Sequence, residues 1–314
     1  MTGEQQKITT LTLNPAIDQT VTLDSLQPGT VIRAKAVRFN VGGKGVNVAA
    51  CLAAAGFAVT ATGLLGKENS RFFQNFFAER RIEDRFLYIE DKTRTNIKLV
   101  TPDNTTDINL PGLKVTPAIL DTIHQSVDNM QNDFLVLAGS LPPGCPDSFY
   151  TDLVIRQQTD KTKIIVDCSG KSFKALMNAE VRPFCIKPNR DELAEWSGKT
   201  LETREDILAE ARKLHKAGIA LVAVSMGHDG ALFVSEDGAV HAVIKLDHVE
   251  STVGAGDAMV AGIVAALCRG TSLEGIAKSA TAWAAGKLEC PGPGLPSPAR
   301  IAELTDKIQY TFLD

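Results

Sequence analysis

The stretch Ser251–Leu267, STVGAGDAMVAGIVAAL, sets a turn with two glycines, an acid and a long apolar run side by side. Glycine tolerates positive φ and lets other groups approach the backbone closely. Asp257, directly behind that turn, can cap the free N–H groups of a helix start. The same N–H groups, with the positive end of the helix dipole, also form a site for an anion. A carboxylate beside a bound phosphate repels it unless it has a chemical task. The rest of the chain has to decide between a cap and a catalyst.

Upstream of this stretch, apolar and β-branched runs alternate with helical patterns. KITTLTL (7–13), FAVTATGLLG (57–66), DFLVLAG (133–139), TKIIVDCS (162–169), PFCIKPN (183–189) and IALVAVSMG (219–227) read as buried strands. Between them GVNVAACLAAAG, SRFFQNFFAERR, TPAILDTIHQSVDNM, DSFYTDLVIRQQ and REDILAEARKLHKAG carry helical spacing. Such alternation predicts an α/β fold with a parallel sheet covered on both faces. Ligands in these folds gather at the carboxyl ends of the strands. Two segments, 18–41 and 86–110, are β-like with turns and no helix. They are expected to form a small separate sheet, as a lid on the site or a surface for another subunit, or else to add edge strands. With no repeat or linker in view, one domain over residues 1–314 carrying an inserted lid is the preferred organisation.

Bulk properties narrow the function. Hydrophobic residues make up 44% of the chain and charged residues 22%, the balance of a globular protein. A net charge of −4 argues against a broad basic surface for nucleic acid. No apolar run reaches the roughly 18 residues of a membrane span. The opening MTGEQQKITTLTLNP lacks a basic flank and apolar core, so no secretory signal is expected and the cytoplasm is the expected compartment. Cys51, Cys145, Cys168, Cys185, Cys268 and Cys290 are scattered without a C-x-x-C pair, which suits free thiols in a reducing compartment. The five histidines are unpaired in sequence, so a histidine-bound metal is not expected.

Four polar clusters fall at strand or turn ends. NPAID (14–18) brings Asp18, able to bind hydroxyls or simply to close a turn. VGGKGVNVAA (41–50) is a glycine turn with Lys44 leading into a helix. Its donors suit a phosphate or polyol, but its spacing is not that of a Walker P-loop, and no G-x-G-x-x-G opens a βαβ unit. KPNRDE (187–192) sets Asn189 and Glu192 three apart at a helix start, as a helix cap or as oxygen donors around a hydrated Mg²⁺. SMGHDG (225–230) ends a strand in two glycines, fit for a nucleotide's phosphates or an ordinary hairpin. Each is ambiguous alone. Together with TVGAGD they point one way.

The chain resembles the ribokinase/PfkB carbohydrate kinases. VGGKGVN is similar to the amino-terminal signature of that family, STVGAGDAMVAG to the carboxy-terminal one, and KPNRDEL to its N-x-x-E magnesium motif. The resemblance runs from about Ile8 to the helix that follows the GAGD turn. TLNPAID, TRTNIKL, AGSLPPG (138–144) and Ser251 resemble the sugar-phosphate branch, and TDINLPGLKVTP (106–117) resembles members acting on fructose 1-phosphate. The resemblance implies a three-layer α/β/α core, a mostly parallel central sheet, a small β-sheet lid and a homodimer formed through that lid. It implies ATP-dependent phosphorylation of fructose 1-phosphate at the C6 hydroxyl, with Mg²⁺ as cofactor. Tagatose 6-phosphate is the alternative substrate. A sensor of sugar phosphates or nucleotides that has lost turnover is the alternative of another class, with a dehydrogenase a distant third.

The same resemblance assigns roles. Asp257 is the implied base, and the N–H groups of Gly254, Ala255 and Gly256 the implied anion hole. Asp18, Gly42, Gly43 and Asn47 line the implied sugar pocket. Lys44, Arg94, Ser140 and Asn109 are the candidates for the sugar's existing phosphate. Ser225, Gly227, Gly230 and Thr252 flank ATP, and Asn189 and Glu192 act on Mg²⁺ through water. GKLECPGPGLPSP (286–298) matches no adenine-pocket pattern, and Trp196 and Trp283 are read as packing residues.

Overall fold

A computed structural model describes residues 6–159, 161–290 and 294–314. Its centre is β1 (Ile8–Thr12), buried at every position and paired in parallel with β4 (Val59–Gly66) on one side and β8 (Phe134–Ala138) on the other. β5 (Glu83–Ile89) continues the sheet beyond β4. β9 (Lys163–Asp167), β10 (Cys185–Ile186) and β11 (Leu221–Ser225) continue it beyond β8, all parallel. Antiparallel strands β12 (Ala231–Ser235), β13 (Gly238–Val243) and β14 (Gln309–Leu313) complete a ten-stranded sheet. The chain winds away from β1 in both directions, so the carboxyl end of β1 is a switch point where a crevice opens. The polar residues nearest this crevice are Asn14, Asp167, Lys187 and Ser225, each at the end of a strand or just past it.

Helices cover both faces. One layer holds α1 (Lys44–Ala54), α2 (Arg71–Arg80), α8 (Ala255–Cys268), α9 (Leu273–Leu288) and α10 (Pro298–Lys307). The other holds α3 (Pro117–Asp128), α4 (Phe149–Gln157), α5 (Gly170–Asn178), α6 (Arg190–Ser197) and α7 (Arg204–Lys216). The small residues of α8 now have a reason. It lies between α1 and α9 and is buried without a break from Asp257 to Ala266. A side chain at Gly262 would start 2.8 Å from Ala280 Cα, and Ser279 Oγ donates to Gly262 O over 2.9 Å. A helix apolar on all sides belongs in a core. Here that core holds the first turn of α8 fixed.

The non-helical segments supply a second sheet of four strands in the order β3 (Ala36–Gly42), β2 (Ala16–Thr22), β6 (Thr95–Val100), β7 (Thr105–Ile108). Residues 86–89, grouped with the small sheet by pattern, belong instead to β5 at the edge of the large one. Alternation splits the small sheet into two faces. Asp18, Thr20, Asn40, Lys98 and Asp107 turn toward a cavity shared with the 251–254 turn. Val37, Phe39 and Ile108 lie on the other face and are exposed. No helix among the described residues is long and apolar enough to cross a membrane.

Candidate active site

The positive ends of α1 and α8 meet in space. Gly43 caps α1 at φ 130° and Gly254 caps α8 at φ 80°, backbone angles that favour glycine. Gly43 also packs tightly, since a side chain there would begin 3.0 Å from Thr12 Cγ2 and 3.2 Å from Pro15 Cα. One turn into α1, Asn47 Nδ2 donates to Asp257 Oδ2 over 2.8 Å. Asp257 is 7% exposed. Burial, with the charge of Asp167 added, pushes its carboxyl up to about 6, against the pull of Asn47, Lys44 and Lys187. Asp257 is thus a carboxylate with raised basicity, oriented by an amide, behind a turn of N–H groups.

Two residues that sequence reasoning passed over organise the charge here. Asp167 ends β9 and is 1% exposed. Its Oδ1 receives Lys44 Nζ at 3.0 Å and faces Lys187 Nζ at 3.6 Å, while Oδ2 has no partner among the described residues. Burial works against its charge, but the two ammoniums prevail and hold the carboxyl below its ordinary range. Lys187 is 4% exposed, and its Nζ lies 3.4 Å from where a side chain at Gly256 would begin. Lys44 is raised above the ordinary lysine value: Asp167, Glu192 and Asp257 outweigh its burial. That neighbourhood sets Lys44 on the side of the α8 turn. Asp167 and Lys187 each follow a buried strand, which was the available signal; a single charge at a strand end has no meaning until its partners arrive.

Three of the four sugar-phosphate candidates, Arg94, Ser140 and Asn109, gather at the end of β1, while the fourth, Lys44, is bonded to Asp167. Arg94 donates from Nη2 to Asn14 O and from Nη1 to Leu110 O, both at 2.9 Å, and from Nε to Pro15 O at 3.3 Å. A guanidinium has five N–H donors, so two remain for a ligand. Asn14 Nδ2 donates to Ser140 Oγ over 3.0 Å, and Asn109 precedes the carbonyl that Arg94 holds. On the small sheet Asn96 Nδ2 donates to Asp18 Oδ1 over 3.1 Å. Burial raises the Asp18 carboxyl, with Asn96, Lys98 and Arg94 opposing. Gly42 leaves room for that carboxylate, because a side chain there would begin 2.8 Å from Asp18 Cγ. Asp18, Asn47, Thr252 and Gly254 line one cavity of about 590 Å³.

Asn189 and Glu192 make a full capping box on α6: Glu192 N donates to Asn189 Oδ1, and Asn189 N to Glu192 Oε2, each over 2.8 Å. The cap therefore occupies one oxygen of each residue and leaves Glu192 Oε1. No group of three acidic, histidine or cysteine ligands exists among the described residues. This donor set fits Mg²⁺ held through water, since that ion sheds its waters reluctantly. Asn189 also bridges to Ser225, which joins the metal candidates to those for ATP. Gly227 has φ 63° in a short 3₁₀ turn (Gly227–Asp229), and at Gly230 a side chain would begin 2.9 Å from Val243 Cα.

Comparisons with known proteins bear on the chain as a whole. The family profile described as pfkB family carbohydrate kinase matches residues 11–300. A 1-phosphofructokinase of Xanthomonas campestris pv. campestris is 45% identical over 287 residues, covering 89% of this chain and 90% of that protein. The 1-phosphofructokinase of Rhodobacter capsulatus is 41% identical over 312 residues, covering 98% of each chain. Phosphofructokinase-2 from Escherichia coli, in complex with fructose-6-phosphate, superposes with a TM-score of 0.88 at 26% identity, covering 96% of this chain and 98% of that one.

Proposed function

We propose that this chain, which belongs to the pfkB family of carbohydrate kinases, transfers the γ-phosphoryl group of ATP to the C6 hydroxyl of fructose 1-phosphate. The products are fructose 1,6-bisphosphate and ADP. One observation carries the reading: a buried carboxylate with raised basicity, Asp257, stands behind the turn of α8 and is bonded to Asn47, which lines a cavity together with Asp18 and Gly254. The two relatives named above, both 1-phosphofructokinases, support the choice of sugar phosphate.

The chemistry follows from the residues. Asp18 and Asn47 hold the sugar's hydroxyls, and the group of Arg94, Ser140 and Asn109 takes its phosphate. The C6 hydroxyl oxygen attacks the γ-phosphorus as its proton passes to Asp257. The bond from that phosphorus to the β–γ bridging oxygen breaks, and the electron pair leaves with ADP. Gly254, Ala255 and Gly256 present N–H groups to the charge that develops, and Lys44 and Lys187 add positive charge nearby. Phosphoryl transfer needs little else, being chiefly positioning and charge stabilisation. Ser225, Gly227, Gly230 and Thr252 flank the nucleotide. Asn189 and Glu192 would hold Mg²⁺ through water. When bound there, it would supply positive charge against the repulsion among the phosphates.

The exposed apolar face of the small sheet, with Val37 at 46% and Phe39 at 52% exposure, supports a homodimer in which the two sheets pack together and close over the sites. The six free thiols and the ATP requirement support a cytoplasmic enzyme.

The test is kcat/KM for fructose 1-phosphate, tagatose 6-phosphate and fructose 6-phosphate at equal ATP and Mg²⁺, read as ADP release. Fructose and tagatose differ at C4, and a site built to bond that hydroxyl can discriminate strongly. Fructose 1-phosphate is expected to lead. A clear preference for tagatose 6-phosphate overturns the substrate and keeps the mechanism. Absence of ADP release with all three overturns the kinase reading and favours a sensor.

A further inference from the structure

A second buried lysine lies against the α8 turn. Lys287 lies in the last turn of α9 and is 6% exposed. Its stem crosses the glycine that opens the anion hole. A side chain at Gly254 would begin 3.1 Å from Lys287 Cε and 3.9 Å from Asp257 Oδ2, so the lysine stem packs tightly on that glycine, with the carboxylate at ordinary contact distance from the same point. Lys287 also lines the cavity that holds Asp18, Asn47 and Thr252. Burial pulls the Lys287 ammonium below the ordinary lysine value, and Asp257 is among the groups that oppose this. A lysine at a helix end can serve the helix dipole, but that role is filled as well by an exposed one. Here the side chain is laid across the catalytic turn at a cost in desolvation.

The two ends of the turn therefore carry matching features. Lys187 stands at Gly256 and Lys287 at Gly254, with the N–H groups between them. Resting on the kinase reading of this site, we propose that Lys287 is a catalytic residue that contacts the transferring phosphoryl group from the Gly254 end of the turn. As the bridging bond opens, negative charge spreads over the equatorial oxygens of that group. An ammonium with three donors strengthens its hold on those oxygens at that moment. Lys287 forms no bond and keeps its proton throughout. Gly254 is glycine for two reasons: the turn needs its positive φ, and the lysine needs its missing side chain.

The experiment uses the full chain with MgATP and fructose 1-phosphate. Lys287→Met keeps the length of the side chain and removes the charge. We expect kcat to fall about 10–100-fold, the scale of one charge-assisted hydrogen bond. The KM for the sugar phosphate is expected to change by less than about threefold, because the lost contact is to the other substrate. Lys287→Arg is expected to recover at least about a third of the lost kcat, since it restores charge at the turn. Should Lys287→Met fail to show a cooperative thermal transition, Lys287→Gln is measured in the same way and decides. A folded neutral variant with kcat within about twofold of wild type overturns the assignment. So does an arginine variant no better than the neutral one, which marks a structural part. Wild-type protein without turnover on any of the three sugar phosphates overturns the kinase reading and this assignment with it.

Discussion

Asn47 and Asp257 lie 210 positions apart, yet the amide of one donates to the carboxylate of the other over 2.8 Å. This single bond locks the first turn of α1 to the first turn of α8. It occupies Asp257 Oδ2 and leaves Oδ1 to receive a proton. It also sets two helix amino termini side by side, so the carboxylate that looks misplaced beside a phosphate stands where two dipoles favour anions.

Removing the base is expected to separate binding from turnover. In Asp257→Asn the amide keeps the shape and can still meet Asn47, but it cannot take a proton. We expect kcat to fall about 10²–10⁴-fold, the usual cost of losing a general base. Calorimetric affinities for ATP and fructose 1-phosphate should stay within a few-fold. Near-wild-type kcat would remove Asp257 from its role.

The raised carboxyl sets the acid limb of activity. Asp257 must be ionised to act, so kcat/KM is expected to rise through about pH 6 and level off above it. Stability moves the other way. The native state holds this proton up to about pH 6 whereas the ordinary value is 3.8, so stability falls as pH rises through that window. Asp257→Asn should therefore melt a few degrees higher than wild type at pH 8 and show no such gain at pH 4. In Asp167→Asn the acid limb should shift to lower pH, because a negative neighbour is gone. An unmoved limb in that variant would show that another group titrates.

Gly42→Ala tests the sugar pocket without touching a polar group. The new methyl meets the carboxylate of Asp18, with Asp18 Cγ 2.8 Å away, and must push it aside. We expect KM for the sugar phosphate to rise about tenfold or more, the scale of one or two lost hydrogen bonds, with KM for ATP unchanged. Steady-state kinetics with each substrate varied in turn decides it. An equal rise in both would place Asp18 outside the sugar site.

Glu192→Gln divides the cap from the metal. Glutamine can complete a capping box as glutamate does, so Tm should hold within a degree or two. The charge that favours Mg²⁺ is lost, and the Mg²⁺ concentration for half-maximal activity should rise about tenfold or more, the range for a perturbed metal site. Titration of activity against free Mg²⁺ reads the result. An unchanged Mg²⁺ requirement would leave Glu192 as a cap alone.

Much of the large sheet was legible because its parallel strands are buried on both faces and read as unbroken apolar runs. KITTLTL, FAVTATGLLG and DFLVLAG became β1, β4 and β8. The segment Glu83–Ile89 was harder: its pattern says strand, but nothing local says which sheet edge it joins. The antiparallel strands β12–β14 and the helices α9 and α10 carried no motif and went unread. At the site, GAGD and the glycine turn before α1 were legible because special backbone angles demand special residues. Asp167 and Lys187 were not, since their meaning lies in the ion pairs that Asp167 makes with Lys187 and with Lys44, the latter created by the fold across 123 positions. Arg94 was read as a cation for phosphate; that three of its donors also brace the chain at Asn14, Pro15 and Leu110 was not legible, because those carbonyls are brought to it by the fold.

The division of labour between the two sheets bears on how ATP is spent. Asp18 and Asn96 ride on the four-stranded sheet, while Asp257 is fixed to α8 over the ten-stranded one. Water is always present and far more abundant than any sugar, so a base poised at the nucleotide invites wasteful hydrolysis. A water molecule comes with no tether, whereas in the proposed reading a sugar gripped on the small sheet brings its hydroxyl to Asp257 as though at about 10⁵ M or more. A kinase arranged in this way discriminates between its two possible acceptors by tethering one of them, and thriftiness with ATP becomes a property of where the second sheet is attached.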